Sequence, residues 1–157
     1  MSFDKINKWL SLLGHIGVVF GLVFLVIEIQ NNSKTTEAQT RDSVADKLIT
    51  WQLAISTNEF TANAFYKGWA DEELTPAESA AYTQLVQSSL RMWENEWYQY
   101  QIGLYSEEEF LPRLERMESS MSVCSFKRIW GKGSLYSPSF RELINGFIDK
   151  ASPKKCK

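Results

Sequence analysis

The hydrophobic and polar positions divide the chain into an apolar first part and a regularly patterned second part. From residue 10 to residue 27 the sequence reads LSLLGHIGVVFGLVFLVI, 18 residues without an acid, a lysine or an arginine. A helix of that length rises about 27 Å, which approaches the roughly 30 Å hydrocarbon core of a bilayer. The pattern therefore predicts a transmembrane helix over residues 9–29, after an N-terminal flank of residues 1–8.

Two other interpretations of the apolar segment are open. Lys5 and Lys8 precede it as in a secretory signal peptide, and no small-x-small cleavage site follows its apolar end. The apolar region of such peptides is usually shorter, about 7 to 15 residues. A core helix of a soluble domain would carry a polar stripe, whereas nearly every face of this segment is apolar. Both arguments favour a membrane anchor.

Basic residues flank the apolar segment on both sides. Lys5 and Lys8 stand before it, and Lys34, Arg41 and Lys47 follow within about 20 residues. Because cytoplasmic flanks carry an excess of Lys and Arg, the count of two against three leans slightly towards a cytoplasmic C-terminal domain.

Small residues share one side of the predicted transmembrane helix. Gly17 and Gly21 form a GxxxG pair, and Gly14 lies three residues before them. At 100° per residue these glycines fall with Ser11 and Glu28 within about 120° of one another. Helices in lipid associate through close packing, which small residues permit, so this face predicts a homo-oligomer. The alternative is a chance pattern, because glycine is common in membrane helices and GxxxG alone is a weak motif.

Three polar residues of this segment are candidates for a function. An ionisable side chain at membrane depth is costly and by default marks a functional position. Glu28 lies near the apolar end, where it either reaches the headgroups or joins a ring of carboxylates at a pore mouth. His15 either hydrogen-bonds a neighbouring helix or relays protons. Ser11 and Glu28 are the candidate pore-lining residues of a channel-like assembly.

Residues 30–157 predict a soluble helical domain of about four to five helices, so the fold class is all-α. The anchor helix either continues through residues 31–33 or breaks there. Beyond it, apolar residues recur at i, i+4, i+7 and i+11, which is one helical face. These residues are Val44, Leu48, Trp51 and Ile55. A stop at residues 56–58 then separates this helix from a short one over residues 59–69.

Start signals place the remaining predicted helices. The sequence TPAE at residues 75–78 offers a capping box with proline at the first helical position, and Gly103 offers a left-handed stop. Ser106 and Glu109 repeat the box before a helix that Pro112 should kink or delay. The predicted helices cover residues 76–102, 107–122 and 138–150.

The aromatic block of the long helix gathers candidate chemistry. Trp93, Trp97 and Tyr100 recur at i, i+4 and i+7, which predicts a core face. Glu94 and Glu96 are two residues apart and so point about 200° from each other. We therefore expect neither an acid–base pair nor a metal site from these carboxylates.

Charge and residue counts narrow the function classes. The formal net charge is −2 and the charges are interspersed, which argues against a nucleic-acid-binding protein. The one histidine, His15, lies in the apolar segment, so a serine or cysteine hydrolase would lack its base. Cys124 and Cys156 have no nearby histidine and form no CxxC motif, and a disulfide between them is left open. The sequence predicts no enzyme, no cofactor and no metal.

Four segments carry a resemblance: the anchor GHIGVVFGLVFLVIEIQNN, the TPAE helix start, the block WENEWYQYQIGL and the closing SPSFRELI. Together they resemble small single-pass bacterial membrane proteins of unknown function, over most of the chain. The resemblance implies a bacterial source, the inner membrane and a helical domain behind one anchor. Since that family has no established activity, it supplies no site residues.

Two hypotheses follow from these observations. The first is a homo-oligomeric assembly in the lipid bilayer, packed through the glycine face and channel-like if its centre is wide enough. The second is a membrane-tethered helical module that binds another protein.

Overall fold

A computed structural model describes residues 3–131, 135–150 and 156, so Met1 and Ser2 of the N-terminal flank lie outside it. Within these ranges helices are the only regular secondary structure, which confirms the all-α prediction. The chain divides into two compact units, residues 1–39 and 40–157. The helices are α1 (Phe3–Ser56), α2 (Glu59–Trp69), α3 (Pro76–Gln101), α4 (Glu107–Ser120), α5 (Cys124–Trp130) and α6 (Pro138–Lys150).

The first unit contains the N-terminal part of α1. Every side chain from residue 9 to residue 29 is exposed, including its large apolar ones. The helix does not break at residues 31–33. The hydroxyls of Thr35 and Thr36 donate back to the carbonyl oxygens of Asn31 and Asn32, at 3.0 and 2.9 Å, as β-hydroxyl side chains do inside helices.

The second unit is built around buried aromatic and aliphatic side chains. The predicted face of residues 44–55 is confirmed, since Val44 is buried and the other three members are half-buried. Trp51 also donates its indole N–H to the carbonyl oxygen of Leu85, 3.1 Å away, which ties the end of α1 to α3. The largest fully buried side chains include Tyr82, Phe110, Phe126, Phe140, Leu90 and Met117.

The predicted helix boundaries of this unit are largely confirmed. Thr75 and Glu78 form the reciprocal capping box: the Glu78 N–H donates to the Thr75 hydroxyl and the Thr75 N–H to the Glu78 carboxylate. Gly103 follows α3 with a φ of 76°, the left-handed conformation that glycine adopts without strain. The Ser106 hydroxyl caps α4 by accepting from the Glu109 N–H.

Two details of the structure go beyond the prediction. Of the two effects predicted for Pro112, a delayed start of α4 is excluded, because the helix begins at Glu107 and contains the proline. The short helix α5 was not predicted at all. It has seven residues and no side-chain cap, so its sequence lacks both a visible period and a start signal. Burial of Phe126, Ile129 and Trp130 accounts for its formation, since packing outweighs weak local preference.

Candidate functional site

The glycine face of α1 is open. A methyl group added at Gly14, Gly17 or Gly21 would meet nothing within 4 Å. Each glycine is exposed, so no side chain of the described residues covers this face. A second helix could therefore approach the backbone here more closely than on the Leu, Val and Phe side.

The three polar candidates of the apolar segment are all exposed, and only two of them meet. The Nδ1 of His15 lies 2.6 Å from the carbonyl oxygen of Ser11, to which it donates when it carries the proton. This bond stays within one helix and leaves Nε2 for a neighbouring helix. Glu28 lies farther along α1 and makes no ion pair among the described residues.

Glu94 and Glu96 of α3 do not converge, as their spacing predicted. Glu94 accepts from the Ser137 N–H at 2.6 Å and pairs with Arg91. Although burial acts to raise it, these hydrogen bonds hold the pKa of Glu94 below its usual range. Glu96 instead faces α4 and is 2% exposed. Both carboxylates therefore serve the packing of helices.

A partly buried ion pair joins α3 and α4. The Arg113 guanidinium donates from Nε and Nη2 to the two oxygens of Glu96, both at 2.8 Å. This bidentate bond raises the pKa of Arg113 against the opposing effect of burial. The two residues are 17 positions apart and on different helices, so no local sequence signal reveals their pairing.

An aromatic cavity lies within residues 40–157. Its volume is about 240 Å³, and its walls come from the end of α1 and from α2, α3, α4 and α5. We call it the tryptophan cavity. Its aromatic lining consists of Trp51, Phe65, Trp69, Trp93 and Phe126, and its polar lining of Gln52, Ser89, Arg113, Arg116 and Ser120.

The aromatic wall is continuous. Trp51 meets Phe65 edge-on with ring centroids 5.5 Å apart, and Phe65 stacks on Trp69 at 6.0 Å. Phe126 then contacts Trp69 edge-on at 5.6 Å and stacks on Trp93 at 5.9 Å. Such pairs hold each other in place beyond simple area burial, so the wall is a fixed surface.

Most polar groups of the cavity already have partners. The hydroxyls of Ser89 and Ser120 donate to carbonyl oxygens of their own helices, and Arg113 is neutralised by Glu96. Arg116 differs, because it is exposed and forms no ion pair among the described residues. Its guanidinium carbon lies 5.3 Å from the ring centre of Trp69. One positive charge thus stands uncompensated at the aromatic wall.

A disulfide joins Cys124 to Cys156, with the two Cα atoms 5.3 Å apart. It connects the first residue of α5 to a residue beyond α6. Nearby, the Ser125 N–H donates to the Asp71 carboxylate at 2.8 Å, so the start of α5 is held twice. The sequence alone did not decide whether this disulfide forms.

In the described part of the chain, no group of three or more His, Cys, Asp or Glu side chains is arranged to hold a metal ion. Comparison with known proteins adds no assignment: no family model, curated protein or solved structure matches the chain. The resemblance drawn from the four segments stays a prediction.

Proposed function

We propose that this chain is a single-pass membrane protein that assembles with copies of itself through the face of Gly14, Gly17 and Gly21. The observation that carries the proposal is the exposure of the apolar segment. Within the described residues one helix is long and apolar enough to cross a membrane, and none of its most apolar 18-residue window is buried. Soluble monomers rarely expose so large an apolar surface.

Close packing of the open glycine face supports self-association. Lipid tails are as apolar as the Leu, Val and Phe side chains, so contact with lipid removes any hydrophobic driving force for helices to associate through that side. The glycine side allows two backbones to approach, which gains dispersion contacts that lipid tails do not supply. His15 adds a polar contact through Nε2, and Ser11 and Glu28 on the same side would line any central space.

The disulfide supports an orientation opposite to the one that the basic flanks favour. Disulfides persist in oxidising compartments and are rare in the cytosol. We therefore place residues 40–157 on the outer, periplasmic side of a bacterial inner membrane, with Lys5 and Lys8 on the cytoplasmic side. The two-against-three charge count opposes this only weakly.

The test of assembly is the native mass of the full chain in mild detergent. We expect a defined oligomer, and we expect the double variant Gly17→Leu/Gly21→Leu to be monomeric because leucine keeps the backbones apart. The matched control is Val19→Leu/Val23→Leu, which enlarges the opposite side and should leave the oligomer intact. An unchanged oligomer in the glycine variant would overturn the proposal.

A second candidate is a membrane-tethered binding module, in which α1 only localises the helical unit. The observation in its favour is that residues 40–157 have a hydrophobic core of their own. In that case the full chain is monomeric and the unit captures a partner alone.

A further inference from the structure

We infer that the tryptophan cavity binds a small aromatic carboxylate, with the flat ring against its aromatic wall and the carboxylate on Arg116. This goes beyond the proposed assembly, because the cavity lies wholly within residues 40–157 and depends on no second copy.

The wall selects the apolar part of the ligand. Three indole and two phenyl rings line one cavity, and their contacts with one another fix their orientations. Flat rings stack against such surfaces or meet them edge-on, which an aliphatic chain does less well. Met92 adds a polarisable side chain that adapts to the outline of an aromatic ring.

The positive charge of Arg116 determines the polar part of the ligand. Arg113 is occupied by two hydrogen bonds to Glu96 and is therefore not available to an anion. Arg116 has no carboxylate partner in the described residues, and its planar fork matches two carboxylate oxygens. Its position over Trp69 brings the charge next to the rings, so one molecule with both features can meet both. The amide of Gln52 offers a further donor at an exposed position of the same lining.

The volume of the cavity limits the size of the ligand. The volume of about 240 Å³ lies just below the roughly 300–1,000 Å³ of pockets for drug-sized ligands. A single ring with a short acidic side chain fits this space, whereas a nucleotide or a protein helix does not. Phenylacetate has these properties, and phenylacetamide matches its shape without the charge.

The experiment is isothermal titration of the full chain in lipid nanodiscs with phenylacetate and with phenylacetamide, after subtraction of empty nanodiscs. We expect saturable phenylacetate binding with a Kd of roughly 0.1–1 mM, as suits so few ligand atoms. Phenylacetamide should bind about tenfold more weakly, because it lacks the charge-assisted bonds.

Three variants isolate the contributions. Arg116→Gln should weaken phenylacetate binding about tenfold and leave phenylacetamide unchanged. Arg141→Gln removes the same charge from an exposed position on α6 outside the cavity and should change neither. Gln52→Trp places a large ring in the cavity from an exposed position and should abolish binding of both, with the far-ultraviolet circular dichroism retained.

Each contrary result has a clear meaning. Absence of saturable binding by the wild-type chain overturns the site. Equal binding of the two probes, unaffected by Arg116→Gln, overturns the carboxylate as the ligand class. Loss of binding in Arg141→Gln to the same extent as in Arg116→Gln shows general charge attraction and also overturns the assignment.

Discussion

The two units of this protein differ in the exposure of their apolar side chains. In the first, Phe20 is 70% exposed and none of the surrounding residues covers it. In the second, Phe110 is 1% exposed and contacts three aromatic rings, of which that of Tyr100 is stacked 4.5 Å away. Burial stabilises by about 25 cal/mol per Å² of apolar surface removed from water. The second unit obtains this stabilisation from its own core, whereas in the proposed assembly the first obtains it from lipid and from other copies.

The sharpest test of this difference truncates one phenylalanine in each unit. Phe110→Ala should lower the free energy of unfolding of the helical unit by about 3–5 kcal/mol, through lost burial and the cavity left behind. Phe20→Ala should leave that free energy unchanged. Urea denaturation of the full chain in nanodiscs, followed by tryptophan fluorescence, measures both. Equal losses in the two variants would remove the distinction between the units.

The second largest expected loss of stability follows removal of the disulfide, which lies in the second unit. Cys124→Ser/Cys156→Ser should cost about 2–4 kcal/mol of unfolding free energy, because the bridge restricts the unfolded chain between two residues 32 positions apart. The same denaturation measures the loss. In full chain purified without reductant from the cells that produce it naturally, thiol labelling should be absent until reductant is added. Two freely reactive thiols would contradict both the bridge and the periplasmic orientation.

A smaller difference in stability is expected between alanine substitutions at two glycines. A methyl group at Gly68 would lie 2.5–2.6 Å from ring atoms of Tyr82, so that ring would have to move. Tyr82 is buried, and its hydroxyl is hydrogen-bonded to that of Ser125. Gly68→Ala should therefore destabilise the unit by about 1–2 kcal/mol, since overpacking exceeds the roughly 1 kcal/mol gained from helix propensity. Gly17→Ala meets no atom and should leave the unfolding transition unchanged. A stabilised Gly68→Ala would contradict the packing described at that position.

The smallest predicted effect depends on pH. The bond from Lys67 and the two from Thr75 lower the pKa of Glu78 from 4.5 to about 2. Because the folded value lies below the unfolded one, this contribution to stability is present above pH 4.5 and is lost as the pH falls towards 2. The melting temperature of Glu78→Gln should be below that of the wild type at pH 7, and the gap should close across this range. The exposed Glu115→Gln should show no such gap, and a gap for Glu78→Gln that persists at pH 2 would contradict the assignment.

Local signals in the sequence were enough for most of the helix boundaries. The capping box of Thr75 and Glu78 and the stop at Gly103 each lie within a few residues, where backbone geometry depends on the side chain present. The apolar segment was equally visible, since length and composition define it.

The remaining features depend on residues that are distant along the chain. The pairing of Glu96 with Arg113, the disulfide and the tryptophan cavity arise only where separate helices meet. The helix α5 is also of this kind, because tertiary packing and not its own sequence pattern holds it. The cavity lining includes Trp93, whose helical spacing predicted only a core position.

The most direct test of the division between the units compares the native mass of the full chain in mild detergent with that of a chain beginning at Ser33 in plain buffer. We expect a defined oligomer for the full chain and a monomer for the shorter one, which should be soluble and unfold cooperatively. A monomeric full chain together with an aggregated shorter chain would contradict it, because the helical unit would then depend on the apolar segment and the segment would need no copies of itself.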